Sequence, residues 1–279
     1  MFKTLFYRHR GQSPFRNQTP VQQQFADVMT RPLPELRYAV FFTPRSGSSH
    51  LTDLISGTGA MGSPDEVFNH RLAHGIASAM GSGTVEDYVE RLVRARNVGG
   101  VFGAELTWPD MLNMFRDPER FIRLVRPDRF IWLTREDIIA QAVSIMAMTQ
   151  TGVSHTKHTS PDHVVRSQTR LQYNGWHLRR IINRVIWAEH QTENFFRKRQ
   201  IQPLRLSYEN FTSAPPEQIL KQIAGHLGVE LQSPKPAASG HRQLSGEKNR
   251  QFAQRFRAEN RRFVAKVDHR RAILFQTQA

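Results

Sequence analysis

Residues 38–55 constrain the fold of this chain more than any other segment. An apolar run at 38–42 ends in a turn of small residues, TPRSGSS at 43–49, and an amphipathic stretch begins near Ser48. This order predicts a buried strand, a phosphate-sized loop and the N-terminus of a helix. Such a loop directs backbone N–H groups and the positive end of the helix dipole at one point, so the segment predicts a site for an anion.

The loop departs from the Walker A sequence of nucleoside-triphosphate enzymes. That sequence, GxxxxGK[ST], needs a first glycine and a lysine before the hydroxyl residue. Here Arg45 precedes Gly47, and Ser48 follows the glycine directly. No aspartate at the end of a later strand stands out as a Mg²⁺ ligand, so a group transfer without metal is favoured. Taken alone, the loop fits a simple turn into a Ser-capped helix equally well.

Strand-like and helix-like segments alternate along the chain, which predicts a parallel sheet covered on both faces. We therefore predict an α/β, P-loop-like three-layer fold with a central, mostly parallel sheet flanked by helices. The predicted strands are 38–42, 100–106, 129–134 and 203–207. The predicted helices are 21–29, 49–58, 84–96, 118–125, 137–148, 175–199, 217–227 and a stretch of helical spacing at 249–267. Residues 151–175 are predicted to form a polar loop or lid.

Charge is concentrated at the two ends of the 279-residue chain, whose formal net charge is +15. Residues 1–37 carry six Lys/Arg against two acidic residues, and residues 242–279 carry ten against three. We divide the chain into a polar basic arm (1–37), a core (38–241) and a basic C-terminal helix and tail that pack on the core (242–279). There is no cysteine, so disulfides and Cys-based metal sites are excluded.

Three further segments, in order, give the chain a resemblance to a known family. They are GSPDEVF at 62–68, LTRED with QAVS and QTGVSH within 133–155, and PLRLSYENF at 203–211. Together with the loop at 43–50 they resemble the sulfotransferases that use 3′-phosphoadenosine 5′-phosphosulfate (PAPS), and most of all the bacterial branch typified by trehalose 2-sulfotransferase. The resemblance extends from about residue 38 to about residue 260.

This resemblance implies a role for individual residues. Glu66 matches the acidic residue proposed as catalytic base, and Tyr208 would lie near the adenine. Arg135 and Ser144 would bind the 3′-phosphate of PAPS, and Arg242 is a weaker match to a further donor contact. The 5′-phosphosulfate would be bound by residues of the loop, namely Arg45, Ser46, Gly47, Ser48 and Ser49.

The chemistry of sulfuryl transfer agrees with these residue types. Charge must be stabilised on the departing phosphate oxygen, and the guanidinium of Arg45 is suited to that because it stays charged. The acceptor hydroxyl needs a base, and Glu66 can serve if burial raises its pKa. Asp65 is the nearest rival for this role, followed by His70 and His74. No metal is expected, because the spacing of the histidines at 155, 158 and 163 fits no closed zinc site.

The resemblance implies a hydroxyl acceptor on a carbohydrate or glycolipid. A phosphoryl-transfer enzyme and a non-catalytic basic binding protein for nucleic acid or membrane remain alternatives. The sequence departs from the family at His50, where an apolar residue is usual, and at Glu105, where Lys is expected. We expect a cytoplasmic protein with no nucleic-acid partner. A homodimer and contact of the basic termini with an anionic membrane surface are compatible with the sequence.

Overall fold

Four strands form the centre of the fold. The computed structural model describes residue 15 and residues 26–152, 171–231 and 246–276. The strands are β1 (Leu36–Phe42), β2 (Val101–Leu106), β3 (Arg129–Thr134) and β4 (Leu204–Ser207). All pairings are parallel, and the strand order is β2-β1-β3-β4. The sheet is therefore the parallel sheet that the alternating sequence predicts.

Helices cover the sheet and extend beyond it. A short 3-10 helix, Ala26–Thr30, precedes β1. The α-helices are α1 (Ser48–Ser56), α2 (His70–Ala79), α3 (Val85–Ala95), α4 (Trp108–Phe115), α5 (Pro118–Val125), α6 (Ile138–Thr151), α7 (Gly175–Lys198), α8 (Tyr208–Ser213), α9 (Pro216–Leu227), α10 (Glu247–Glu259) and α11 (Arg261–Gln276). Among the helices of the described ranges, none has the length and apolar character needed to cross a membrane.

The two faces of the sheet are buried in separate cores. Alternate residues of a strand point to opposite faces, so Phe41 joins an aromatic core with Trp132 and residues of α2 to α5. Val40 and Leu133 point to the opposite face, which packs against α1 and α9. A third cluster joins α6, α7 and the two C-terminal helices. The result is the predicted three-layer α/β architecture.

Capping residues explain where several helices begin. The Thr84 hydroxyl accepts a hydrogen bond from the amide of Asp87, and the Asp117 carboxylate does the same for Arg120. Such caps satisfy amides that have no partner inside the helix. The predicted helices 84–96 and 118–125 accordingly agree with α3 and α5 to within a residue at each end.

The C-terminal prediction needs a correction, because the helical stretch at 249–267 is interrupted. Helix α10 ends at Glu259, and α11 begins at Arg261. Between them, Asn260 has φ −128° and its side-chain amide donates to the carbonyl of Phe256. The side chain and the backbone amide of Asn260 thus share one carbonyl of the last turn, and the backbone leaves helical geometry at this residue.

Three other helices were not predicted: α2, α4 and α8. The predicted helix at 21–29 falls partly outside the described residues. Its described end forms the 3-10 helix Ala26–Thr30. The predicted loop or lid at 151–175 also lies largely outside them, as do the three histidines within it.

Candidate functional site

All four strands point their carboxyl ends at one edge of the sheet, because the sheet is parallel. Ligands of open α/β sheets bind at this edge. The loop of Arg45 follows β1, Thr107 follows β2, Arg135 follows β3 and Tyr208 follows β4. The fold therefore brings together residues that lie up to 163 positions apart in the chain.

The loop after β1 has the backbone geometry of an anion cradle. Gly47 is the N-cap of α1, has φ 87° and makes no side-chain cap hydrogen bond. No cap side chain competes for the first amides of α1, which an α-helix leaves without internal partners. The buried hydroxyl of Ser46 has no hydrogen-bond partner among the residues that the structure describes. The hydroxyl and the amides together suit a phosphate or sulfate group.

Gly47 is required by a close approach as well as by its φ angle. A Cβ atom at this position would lie 2.6 Å from Cδ2 of Tyr208 and 3.0 Å from Cζ of Phe211. The loop is thus packed directly against α8. His50, the departure from the family, has a packing role here, since its ring lies 5.5 Å from that of Phe211.

Four of the predicted donor residues form one connected cluster. The Arg45 Nε donates to the hydroxyl of Ser144 at 2.9 Å. Arg135 donates from Nη1 to the carbonyl of Arg45 at 3.1 Å, and its Cζ lies 4.7 Å from the ring centroid of Tyr208. We call Arg45, Arg135, Ser144 and Tyr208 the cationic half of the site.

Electrostatics in the cationic half favour a bound anion. Burial lowers the pKa of Arg45, and the charge of Arg135 lowers it further. Arginine nevertheless stays protonated in proteins, so two like charges are held close together. The Nε of Arg135 is buried and has no hydrogen-bond partner within the described residues, although the Glu209 carboxylate lies 3.7 Å away. An anion between the two guanidinium groups would offset their repulsion.

Carboxyl groups gather at the other end of the same edge, beside β2. The amide of Glu105 donates to the carbonyl of Asp65 at 2.9 Å, which holds the loop of Glu66 against β2. Asn69 donates to Oε2 of Glu66 at 2.7 Å, and Thr107 donates to Oδ2 of Asp110 at 2.5 Å. We call Asp65, Glu66, Glu105 and Asp110 the carboxyl half.

The pKa of Glu66 is raised in this setting. Burial is the largest cause, and the Asp110 and Asp65 carboxylates act in the same direction, while the hydrogen bond from Asn69 opposes them. The rival base Asp65 is exposed, accepts a hydrogen bond from the amide of Glu66 and lies 3.8 Å from Arg96. His70 lies 3.4 Å from Asp110, and His74 is exposed on α2.

A family model for the Stf0 sulphotransferases matches residues 37–259 of the chain. The chain belongs to the Stf0 sulphotransferase family. It is therefore a sulfotransferase enzyme, and its parallel sheet carries the α/β fold expected from the resemblance. Comparison with curated proteins found no match to the chain.

Membership of the Stf0 sulphotransferases leaves the roles of individual residues as predictions. The structure places Ser48 and Ser49 in the first turn of α1, beside the cradle. It brings Arg45, Arg135, Ser144 and Tyr208 together, whereas Glu66 lies in the separate carboxyl half. Arg242 lies outside the described residues.

Two residues that support this sulphotransferase site were missed in the sequence. The buried amide of Gln141 donates to the hydroxyl of Thr43 and to the carbonyl of Pro44, both at 2.9 Å, and so fixes the loop after β1. The Glu209 carboxylate accepts hydrogen bonds from the backbone amides of Glu136 and Asp137, at 2.8 and 3.2 Å. Each stands within a family segment, next to or near a residue with a predicted role, and that position was the available signal.

Glu105, the second departure from the family, is a buried member of the carboxyl half with 3% of its surface exposed. The Thr52 hydroxyl of α1 donates to its Oε1. Burial raises the pKa of Glu105 to about 8, and the charges of Glu66 and Asp65 add to the effect. Burial therefore favours the neutral, protonated form of Glu105, at a position where the family pattern predicts a lysine.

Proposed function

We propose that this enzyme transfers a sulfuryl group from PAPS to a hydroxyl of a carbohydrate or glycolipid. Sulfotransferases in general use PAPS as the sulfate donor. The observation that carries the proposal is the pairing of two arginines, Arg45 and Arg135, beside the glycine-capped N-terminus of α1. Two cations and a helix N-terminus suit a ligand with two separate anionic groups.

The residues of the chain fit the donor in three respects. Within the described residues, the buried Ser46 hydroxyl of the cradle and the Nε of Arg135 make no hydrogen bond, and Tyr208 presents an aromatic ring to the same cluster. In the proposed arrangement, the loop binds the 5′-phosphosulfate, Arg135 and Ser144 bind the 3′-phosphate, and Tyr208 lies near the adenine. PAPS supplies an activated sulfuryl group whose leaving group is a phosphate.

The proposed reaction is an in-line displacement. Oε1 of Glu66 accepts the proton of the acceptor hydroxyl, since Oε2 is held by Asn69. The acceptor oxygen forms a bond to sulfur as the bond between sulfur and the phosphate oxygen breaks, and the electron pair of that bond passes to the phosphate. Arg45 stabilises the charge that develops on this oxygen. Because arginine does not release its proton at neutral pH, its role is electrostatic.

The carboxyl half supports a sugar-like acceptor. Carboxylate, amide and hydroxyl side chains, here Asp110, Asn69 and Thr107 beside Glu66, are the groups that hydrogen-bond sugar hydroxyls. The base, its fixed amide neighbour and these polar groups lie beside β2, next to the strand that leads into the cradle. In the proposed arrangement, an acceptor binds there with its hydroxyl at Glu66.

Thermal unfolding with nucleotides tests the donor assignment. We expect adenosine 3′,5′-bisphosphate (PAP) to raise the Tm, because a ligand at about 100 times its Kd stabilises the folded state by about 2.7 kcal/mol. ATP with Mg²⁺ is the comparison for the phosphoryl-transfer alternative, and adenosine 5′-monophosphate (AMP) is the control for the 3′-phosphate. Absence of stabilisation by PAP, or stronger stabilisation by ATP with Mg²⁺, would contradict the proposal.

A further inference from the structure

The backbone that carries Arg135 is held by charged side chains from distant parts of the chain. Residues 135–137 connect β3 to α6. The amides of Glu136 and Asp137 donate to the Glu209 carboxylate, as described above. The carboxylate of Asp137 in turn accepts a hydrogen bond at 2.6 Å from Arg257 of α10.

Arg271 of α11 binds carbonyl groups of the same connection. Its Nη2 donates to the carbonyl of Arg135 at 2.6 Å, and its Nη1 donates to the carbonyl of Glu136 at 2.7 Å. The same guanidinium forms a two-point ion pair with Glu189 of α7, with Nε and Nη2 at 3.0 and 2.9 Å. One side chain thus joins three elements at the connection that carries Arg135.

The ion pair is buried. The side chains of Arg271 and Glu189 are 10% and 0% exposed. Removing two charges from water is costly, and good geometry offsets that cost only in part. A buried pair of this kind is therefore weak grounds for inferring added stability. The planar guanidinium of Arg271, however, fixes the positions of the two carbonyl groups that it binds.

Arg271 lies beyond the residues that the Stf0 model matches, which end at 259. It belongs to the basic C-terminal segment, where exposed arginines such as Arg250 and Arg255 lie on the outer face of α10. Its burial separates it from these surface charges. Its contacts reach across 136 positions of sequence to the connection after β3.

We propose that Arg271 is a positioning residue of the donor site, which fixes the backbone of Arg135 so that this arginine is presented to the 3′-phosphate of the donor. The inference rests on the proposed function, in which Arg135 binds that phosphate. Besides the hydrogen bond from Arg135 to the carbonyl of Arg45, the loop after β1 has its own anchor in Gln141. Loss of Arg271 should therefore weaken recognition of the 3′-phosphate while leaving the 5′-phosphate cradle in place.

The test compares two nucleotides that differ only in the 3′-phosphate. The Kd values of PAP and AMP are measured by calorimetry for the wild type and for the double variant Arg271→Met/Glu189→Met. The double change removes both buried charges together, because removing one alone would leave the other unpaired in the interior. Arg270→Ala, an exposed position next to Arg271 in α11, is the matched control.

We expect the ratio Kd(AMP)/Kd(PAP) to fall about tenfold in the double variant, while the Kd of AMP and the ratio in Arg270→Ala stay within about twofold of the wild type. If the role of Arg271 were purely structural, the double variant would bind both nucleotides more weakly to the same extent, or would bind both as the wild type does. If the double variant does not fold, Arg271→Lys gives the same comparison, with an expected fall of at least about threefold because an ammonium cannot reproduce the fork.

The outcomes separate the two proposals. A wild type that binds neither nucleotide would overturn the proposed donor. A wild type that binds both equally would overturn the role of Arg135 in binding the 3′-phosphate, and the role of Arg271 with it. A folded variant with an unchanged ratio would overturn the role of Arg271 alone.

Discussion

The cationic half and the carboxyl half lie at the same edge of the sheet, but their charges are held in different ways. In the cationic half, acidic partners and backbone carbonyls fix the arginines, as Glu209 and the carbonyl of Arg45 do for Arg135. In the carboxyl half, neutral groups hold the two glutamates: Asn69 donates a hydrogen bond to Glu66, and Thr52 donates one to Glu105. The first half is suited to holding a fixed anion, whereas the second is suited to taking up a proton.

Helix α1 connects the two halves. Its N-terminus forms the cradle, and Thr52, one turn further along, donates to Glu105. Substitutions in each half can therefore test whether donor binding and proton transfer are independent, or whether α1 couples them.

Glu66→Gln should have the largest effect, because it removes the proposed base and keeps the shape of the side chain. General bases contribute about 10² to 10⁴-fold to rate, and we expect kcat to fall by about 10³-fold while stabilisation by PAP is unchanged. The measurement is initial-rate kinetics with labelled PAPS beside thermal unfolding. Asp65→Asn is the control; if it, rather than Glu66→Gln, abolished turnover, the base would be Asp65.

The pH dependence of turnover in the wild type is a second test of Glu66 as the base. Burial raises the pKa of Glu66, and a base must be ionised to work. Turnover should therefore rise with pH through an inflection above the ordinary range of a glutamate. A flat profile through the acidic range, or an inflection at the ordinary value, would argue against a buried base.

Arg45→Ala should lower kcat by about 10²-fold, the scale found on removing one group that stabilises developing charge. Arg45→Ala should also weaken the binding of PAP, whereas Glu66→Gln should not. The two variants together therefore distinguish the cationic half from the carboxyl half. Arg45→Lys tests the role of the fixed charge, since a lysine keeps the charge without the fork. Full activity in Arg45→Ala would remove this residue from the mechanism.

Glu105→Gln should change the pH dependence of stability more than it changes turnover. Glu105 has a pKa of about 8 in the folded protein against a reference of 4.5. Between these values the folded state holds a proton that the unfolded state has lost, so its contribution to stability falls as pH rises, by at most about 1.4 kcal/mol per pH unit. Above pH 8 both states are ionised, and the contribution becomes constant.

The measurement is the difference in the free energy of unfolding between Glu105→Gln and the wild type, followed by urea denaturation from pH 4.5 to pH 8. Glutamine has no proton to lose, so the variant should gain stability relative to the wild type across this range. A difference that is independent of pH would mean that Glu105 is already ionised at low pH in the folded protein.

The sheet was predictable because β1 and β3 contain continuous apolar runs, and all four predicted strands are confirmed. The helices missed in the sequence have weaker signals. Helix α2 (His70–Ala79) contains a glycine and few large apolar residues, and α8 (Tyr208–Ser213) has only six residues. Helix α4 has a Thr107 cap and a proline in its first turn, a signal that could have been used.

The sequence pointed to residues that the structure brings together at the site, but it did not predict the contacts that hold them in place. The order of the family segments pointed to Arg45, Arg135, Ser144 and Tyr208, and the structure places them together. No sequence rule pairs Arg271 with the carbonyl of Arg135, or Gln141 with the carbonyl of Pro44, because these contacts depend on how distant helices pack. The roles of the donor-binding and acceptor residues, of Arg242 and of the basic termini stay predictions.

One backbone angle in the cradle has a consequence for engineering. Arg45 has φ 67°, a left-handed conformation that costs a residue with a Cβ about 1–3 kcal/mol. A glycine at this position would relieve that cost, so a selection for thermal stability alone would favour losing the arginine. Stability and activity should therefore trade off at position 45, and a thermostable variant of this enzyme should be sought by screening for both properties together.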